Sequence, residues 1–171
     1  CDGPPKQFNI IVGPSAQVNL PSDQVLCHGE PSQPVEFTTI ITGGTTSYAW
    51  TNSNPQIGLG ASGTGNIISF AAQNTGTSPV TATVVVTPRF ANGTATCEGN
   101  PETFHITVNP AGQVVQPANV EACPADGKAV VFSTVNTTGT TAYAWTNSNT
   151  SAGLAAAGTG DIAFTASNPG S

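Results

Sequence analysis

The strongest constraint on this chain is that it repeats itself. CDGPPKQFNIIVGP at Cys1–Pro14 returns as CEGNPETFHITVNP at Cys97–Pro110, a shift of 96 residues. TSYAWTNSN at Thr46–Asn54 returns as TAYAWTNSN at Thr141–Asn149, a shift of 95 residues. A period of this length is one small domain rather than a short solenoid repeat, so the chain reads as an array of like units. The register of the copies sets the boundaries. Residues 1–13 match the end of a unit and read as the last strand of a preceding repeat. Residues 14–110 form a complete unit, and 111–171 a second, incomplete one. The second copy has no counterpart of Val80–Pro88 or of the FHITV segment, which leaves sheet edges to be closed. Continuation of the chain, or a strand donated by a neighbour, would complete it. The opening residues are polar and Pro-rich, unlike a signal peptide, so the numbering is expected to begin inside a longer or processed chain.

Composition points to β-structure. Charged residues make up only 7% of the chain, against about 25% in an average soluble domain. Its polar surface must therefore come from Thr, Ser, Asn and Gln. Thr and other β-branched residues favour strands, and 19 Gly and 14 Pro supply turns. Strand candidates follow an alternation of two. Val35 with Phe37, Tyr48 with Trp50, Ile68 with Phe70, and Phe104 with Ile106 and Val108 each fall on one face. Val80–Thr87 is apolar enough for a central strand, and no helical period appears. The expected fold class is all-β, with six or seven short strands per unit and a buried Trp in the third, a pattern that fits an immunoglobulin-like sandwich. Trp50, Tyr48, Phe37, Phe70 and Phe104 form the expected core, with Trp145 and Tyr143 in the second copy.

Three basic against nine acidic residues give no electrostatic footprint for nucleic acid or an anionic membrane. No apolar run reaches the roughly 20 residues of a membrane-spanning helix. The cysteines are Cys1, Cys27, Cys97 and Cys123, two per unit and none in a CxxC spacing. An even count in such a chain suggests disulfides and an oxidising, extracellular setting. The expected pair is Cys27–Cys97 within the complete unit, leaving Cys1 and Cys123 for partners elsewhere. Cys1–Cys27 with Cys97–Cys123 is the alternative.

Taken in order, YAWTNSN, GTGNI or GTGDI, TATVVVTP and CxGxPxxFxITVNP resemble the PKD-like repeats of very large secreted adhesins of Bacteroidota. The resemblance covers both units. It implies tandem immunoglobulin-like (PKD-like) β-sandwich modules on an exported surface protein, in a group that includes filaments for attachment and gliding.

Side chains with chemical potential have simpler readings. His105 falls opposite Phe104 and Ile106 on a solvent face, and His28 follows Cys27 without a copy in the second unit. Glu98 and Glu102 flank a turn. Asp2, Asp23, Asp126 and Asp161 are scattered and form no calcium-loop pattern. Trp50 and Trp145 could stack on sugars, but their placement after Tyr48 and Tyr143 makes them core. Gly63-Thr64-Gly65 is a turn, lacking the Lys of a phosphate loop. Asn92, Asn136 and Asn149 head glycosylation-type triplets, which matter only in organisms that use them. No catalytic, cofactor or metal residue is expected. The expected role is a non-enzymatic structural and adhesive spacer, secreted to the cell surface and stabilised by disulfides. Its partners would be neighbouring repeats, like chains in a filament, or surface polysaccharide, without direct membrane insertion. The alternatives are an accessory carbohydrate-binding module of a secreted hydrolase and a filament subunit assembled by strand donation. Short Pro-containing junctions such as Asn109-Pro110-Ala111-Gly112 would limit bending between units.

Overall fold

The structure is a computed structural model that describes residues 3–10, 12–93 and 95–168. It is all-β, with strands in mixed sheets and only two short 3-10 turns as helix among the described residues. Two compact units emerge. The first runs to Asn74 and resumes over Val80–Asn109, and the second joins Thr75–Pro79 to the residues from Pro110 onward.

Unit 1 is built on a six-stranded sheet. Its strands are β1 (Gln24–Cys27), β2 (Thr45–Asn52), β3 (Ser62–Thr64), β4 (Val80–Asn92), β5 (Ala95–Glu98) and β6 (Glu102–Asn109). The order is β1-β6-β4-β2-β3, with β5 also on β4. β1 runs parallel to β6, and every other pairing is antiparallel. β4 is the central strand, and its alternation explains why. Ala82, Val84, Val86, Pro88 and Phe90 point inward, while Thr81, Thr83, Val85, Thr87 and Arg89 point out. Phe104, Ile106 and Val108 of β6 continue the inner face.

A proline inside a central strand normally forfeits a ladder bond. Pro88 escapes this because its carbonyl, accepting from Gly99 N at 3.0 Å, faces the joint where β5 pairing ends and β6 pairing begins. No amide donor is required there.

Opposite the sheet, Val18, Val35, Phe37, Ile67 and Ala72 complete one core cluster with Leu26, Trp50, Ile57 and Leu59. Val35 and Phe37 face inward as expected, yet their segment makes only an isolated bridge, Val35 to Ile67. The expected pairing of Ile68 with Phe70 on one inner face does not hold. Val35 and Ile67 exchange both backbone bonds, at 2.9 and 3.0 Å, which turns Ile67 inward and Ile68 to solvent. Phe70 is only partly buried, since Ser32 Oγ replaces a backbone acceptor for Phe70 N (3.0 Å) and breaks the alternation.

Unit 2 repeats part of this plan. β7 (Gly127–Val130) pairs with β10 (Ile162–Thr165), and β8 (Ala144–Thr146) pairs with β9 (Ala157–Thr159). Among the described residues, no strand corresponds to β4 or β6. Phe132, Tyr143, Trp145 and Ile162 are consequently half-exposed, where Phe37, Trp50 and Ile67 of unit 1 are buried. Gly3–Ile10, part of the segment expected as the last strand of a preceding repeat, is exposed and in no strand.

The expected disulfide is also overturned. Cys27, Cys97 and Cys123 are free thiols, and Cys1 lies outside the described residues. Cys27 sits opposite Asn109, whereas Cys97 sits opposite Phe90. Val80, beside Val108, and Phe90 are separated along β4 by ten steps, roughly 33 Å at the rise of a strand. A disulfide needs Cα atoms within about 7 Å. Parallel pairing is the reason: it carries Cys27 to the far end of β6, while Cys97 precedes the near end.

Candidate functional site

The feature both units share in atomic detail is the turn made by TNSN. In unit 1, Asn52 is buried at the end of β2. Its Nδ2 donates to Leu59 O at 2.9 Å and, at 3.3 Å each, to Asn54 O and Gly60 O. Its Oδ1 accepts from Asn54 N at 3.0 Å. Asn54 then caps the 3-10 turn Pro55–Ile57, its Oδ1 accepting from Gln56 N. In unit 2, Asn147 repeats the bonds to Leu154 O (2.9 Å), Asn149 O (3.0 Å) and Asn149 N (3.0 Å). Asn149 in turn caps Thr150–Ala152.

Asparagine suits this place because one short side chain donates and accepts at once. Asn66 Oδ1 accepts from Phe37 N, and Asp161 Oδ1 from Phe132 N, both at 2.9 Å. That explains why GTGN and GTGD are interchangeable: only the acceptor is used.

The tryptophans are packed against glycine. A methyl group on Gly63 would overlap the Trp50 ring, and one on Gly158 would overlap the Trp145 ring. Trp50 lies in the buried core, and Tyr48 packs against that core partly buried. Burial pushes the Tyr48 hydroxyl pKa up from its ordinary value. Phe37 lies 5.5 Å from Tyr48 and 6.5 Å from Phe104, ring centre to ring centre. The counterpart pair in unit 2, Phe132 and Tyr143, stacks at 5.4 Å.

The Trp50 and Trp145 indole Nε1 atoms are buried without a hydrogen-bond partner, whereas several other polar groups have structural partners. His28 Nδ1 accepts from Asn74 N at 3.0 Å, so this side chain fastens the end of β1. His105 is exposed, with its Nδ1 3.6 Å from Asp23 Oδ1, and that carboxylate also accepts from His105 N. Cys27 N donates to Glu30 Oε2 at 2.8 Å, and Cys123 N to Asp126 Oδ2 at 3.1 Å, the same turn in each copy. The bond from Cys123, reinforced by Lys128 at 3.4 Å, holds the Asp126 carboxyl below its ordinary pKa.

Two hollows have side-chain linings worth weighing as sites. One in unit 1, of about 560 Å³, exposes Ser47, Tyr48, Thr64, Thr87, Arg89 and Glu98. It offers hydroxyls and one pair of opposite charges, which suits hydrogen bonding but joins no nucleophile to a base. The other, about 280 Å³ in unit 2, is lined by Val114, Phe132, Tyr143 and Trp145. Its aromatics look like a sugar-stacking platform until they are matched to unit 1, where their counterparts are the core. No group of three His, Cys, Asp or Glu side chains suited to a metal occurs among the described residues. Sequence reasoning missed the roles of Asn52, Asn147, Asn66 and Asp161, although the verbatim return of TNSN was the available signal. Comparison with protein-family models, with curated proteins and with solved structures finds no match.

Proposed function

We propose that the chain is a stretch of tandem immunoglobulin-like, PKD-like β-sandwich repeats serving as a non-enzymatic spacer and adhesive element of an extracellular surface protein. The observation that carries this reading is the repetition of one scaffold in both units. The asparagine-tied turn, the Trp–Gly contact and the Cys-to-carboxylate turn recur, whereas among the described residues no polar cluster of catalytic type recurs with them. What is repeated is the means of standing rigid. An outer β4–β6 face of Thr81, Thr83, Thr87, Thr103 and Thr107, interrupted by Arg89 and by His105 beside Asp23, suits lateral contact with like modules or with neutral polysaccharide. Stiffness in this reading comes from packing and side-chain-to-backbone bonds, not from the disulfide expected earlier.

Pulling single chains by force microscopy tests the proposal. A spacer gives reversible unfolding of unit 1 with a length gain on the order of 30 nm, since about 95 residues extend by up to about 3.6 Å each. Unit 1 yielding without a resolvable force peak refutes the spacer role. Strong retardation of the chain in gels cast with neutral polysaccharide would favour the accessory carbohydrate-binding reading instead.

A further inference from the structure

We propose that the hollow of unit 1 is a weak binding site for a neutral saccharide, which Arg89 and Glu98 hold by two neighbouring hydroxyls of one sugar ring. These two residues stand opposite each other where β4 pairs with β5, both exposed and both turned away from the core. Opposite charges facing each other across a sheet attract. Among the described residues, however, no ion pair forms between them. A guanidinium that only donates and a carboxylate that only accepts therefore flank one hollow, neither joined to the other. A vicinal diol satisfies both. One of its oxygens accepts from the guanidinium while the other hydroxyl donates to the carboxylate.

The rest of the hollow also suits hydroxyls. Ala49 points outward between Thr64 of β3 and Thr87 of β4 in the two ladders, so its short side chain leaves a recess flanked by two hydroxyl-bearing residues. Ser47 Oγ donates to Arg89 O at 3.4 Å and keeps its capacity to accept. A second observation, independent of the charges, comes from Thr46. It lines the hollow, and its Oγ1 is buried without a hydrogen-bond partner. Buried hydroxyls in folded proteins nearly always have one. Its backbone is unpaired on the same side. Gly65 N donates to Tyr48 O at 2.9 Å and Asn52 N to Ala61 O at 2.8 Å, so even-numbered peptide groups of β2 face β3. The pairing with β3 ends at Thr64 opposite Ala49, which leaves the Thr46 peptide groups with no strand beside them. At about 560 Å³ the hollow is within the range of small-ligand sites, about 300–1,000 Å³.

Neutrality of the ligand follows from charge. Arg89 and Glu98 cancel locally, and a chain of net charge -6 repels a polyanion at longer range. Hydrogen bonds exchanged with water give little net affinity each, so one site binds weakly, and adhesion comes from several sites engaging one polymer. Such a site does not produce the strong gel retardation that would mark a hydrolase accessory module. The inference rests on the adhesive part of the proposed function and names its ligand. The pulling experiment tests the spacer part separately, so either can fail alone.

The test is an NMR titration of the 171-residue chain with the methyl glycosides of mannose, galactose and glucose, each to about 100 mM, and with methyl glucuronide as the charged comparator. The expected result is saturable shifts at the amides of Ser47, Ala49, Thr64, Thr87 and Glu98 with at least one neutral glycoside, and a Kd on the order of millimolar. Arg89→Ala and Glu98→Ala are each expected to weaken binding about tenfold or more, since each removes a charged hydrogen-bonding partner. Ala49→Leu, which fills the recess, is expected to abolish it. All three positions are exposed, so hydrogen exchange of the Val84 and Val86 amides stays as in the parent and reports an intact fold. The proposal is overturned if no neutral glycoside gives saturable shifts, or if the responding amides lie elsewhere. It is equally overturned if Arg89→Ala or Glu98→Ala binds undiminished, or if methyl glucuronide alone binds, which would mean that Arg89 holds a carboxylate without Glu98.

Discussion

Replacing Asn52 by Ala isolates what the repeated turn contributes. The side chain is buried and makes two short bonds, Nδ2 to Leu59 O at 2.9 Å and Asn54 N to Oδ1 at 3.0 Å, besides two longer ones. Truncation leaves a carbonyl and an amide of the turn without partners. Each unsatisfied buried group costs about 1–3 kcal/mol, and partial relaxation of the turn places the sum at about 3 kcal/mol. Asn147 makes the same bonds but is half-exposed, so water replaces it, and Asn147→Ala costs about 1 kcal/mol. Native-state hydrogen exchange separates the units because amides report local opening. At about 1.4 kcal/mol per tenfold, Asn52→Ala accelerates the slowest β4 amides roughly a hundredfold, and Asn147→Ala accelerates β8 amides about fivefold. Asn52→Asp is expected to be worse than Ala, since it keeps the acceptor but sets a carboxylate against the Leu59 carbonyl. Acceleration in β4 below about fivefold, or an equal effect in the two units, would refute the reasoning.

Gly63→Ala drives a methyl into the Trp50 ring and is expected to destabilise unit 1 by about 1–3 kcal/mol, read by urea unfolding. Gly158→Ala meets Trp145 in the same way, but that ring is half-exposed and can yield, so its effect is expected to be smaller. Ala125 adopts φ 71° where unit 1 has Gly29 at φ 84°, a conformation that disfavours a side chain. Ala125→Gly is therefore expected to stabilise unit 2 by about 1 kcal/mol, seen as slower exchange in β7 and β10. The Asp126 pKa is lowered on folding, so its stabilising contribution is present above the ordinary value of 3.8 and is lost as pH falls through the lower folded value. An NMR titration should find Asp126 below 3.8, and Lys128→Ala should move it back toward that value.

Much of unit 1 is legible from spacing alone. Alternation in Val80–Thr87 and Phe104–Val108 marks strands, because a pleated backbone sends successive side chains to opposite faces. The same argument fails at Ile68 and Phe70, where two serine side chains enter the backbone ladder and shift the alternation. The turn at Asn52 is present in the sequence as a verbatim repeat, but its role is not, since donor and acceptor are assigned only once Leu59 folds back over it.

The sequence by itself determined the repeat, its length, the all-β class and the inward residues of the long strands. These follow from local backbone geometry and from the chain's similarity to itself. Tertiary structure alone decided which strands are neighbours. The parallel pairing of β1 with β6 joins segments some 80 residues apart, and no local pattern encodes it. That pairing places Cys27 and Cys97 at opposite ends of the sheet and removes the expected disulfide. The folded unit 1 likewise shows that the residues lining the aromatic hollow of unit 2 match core positions. Burial depends on what lies across the interior, and only the assembled sheet supplies that.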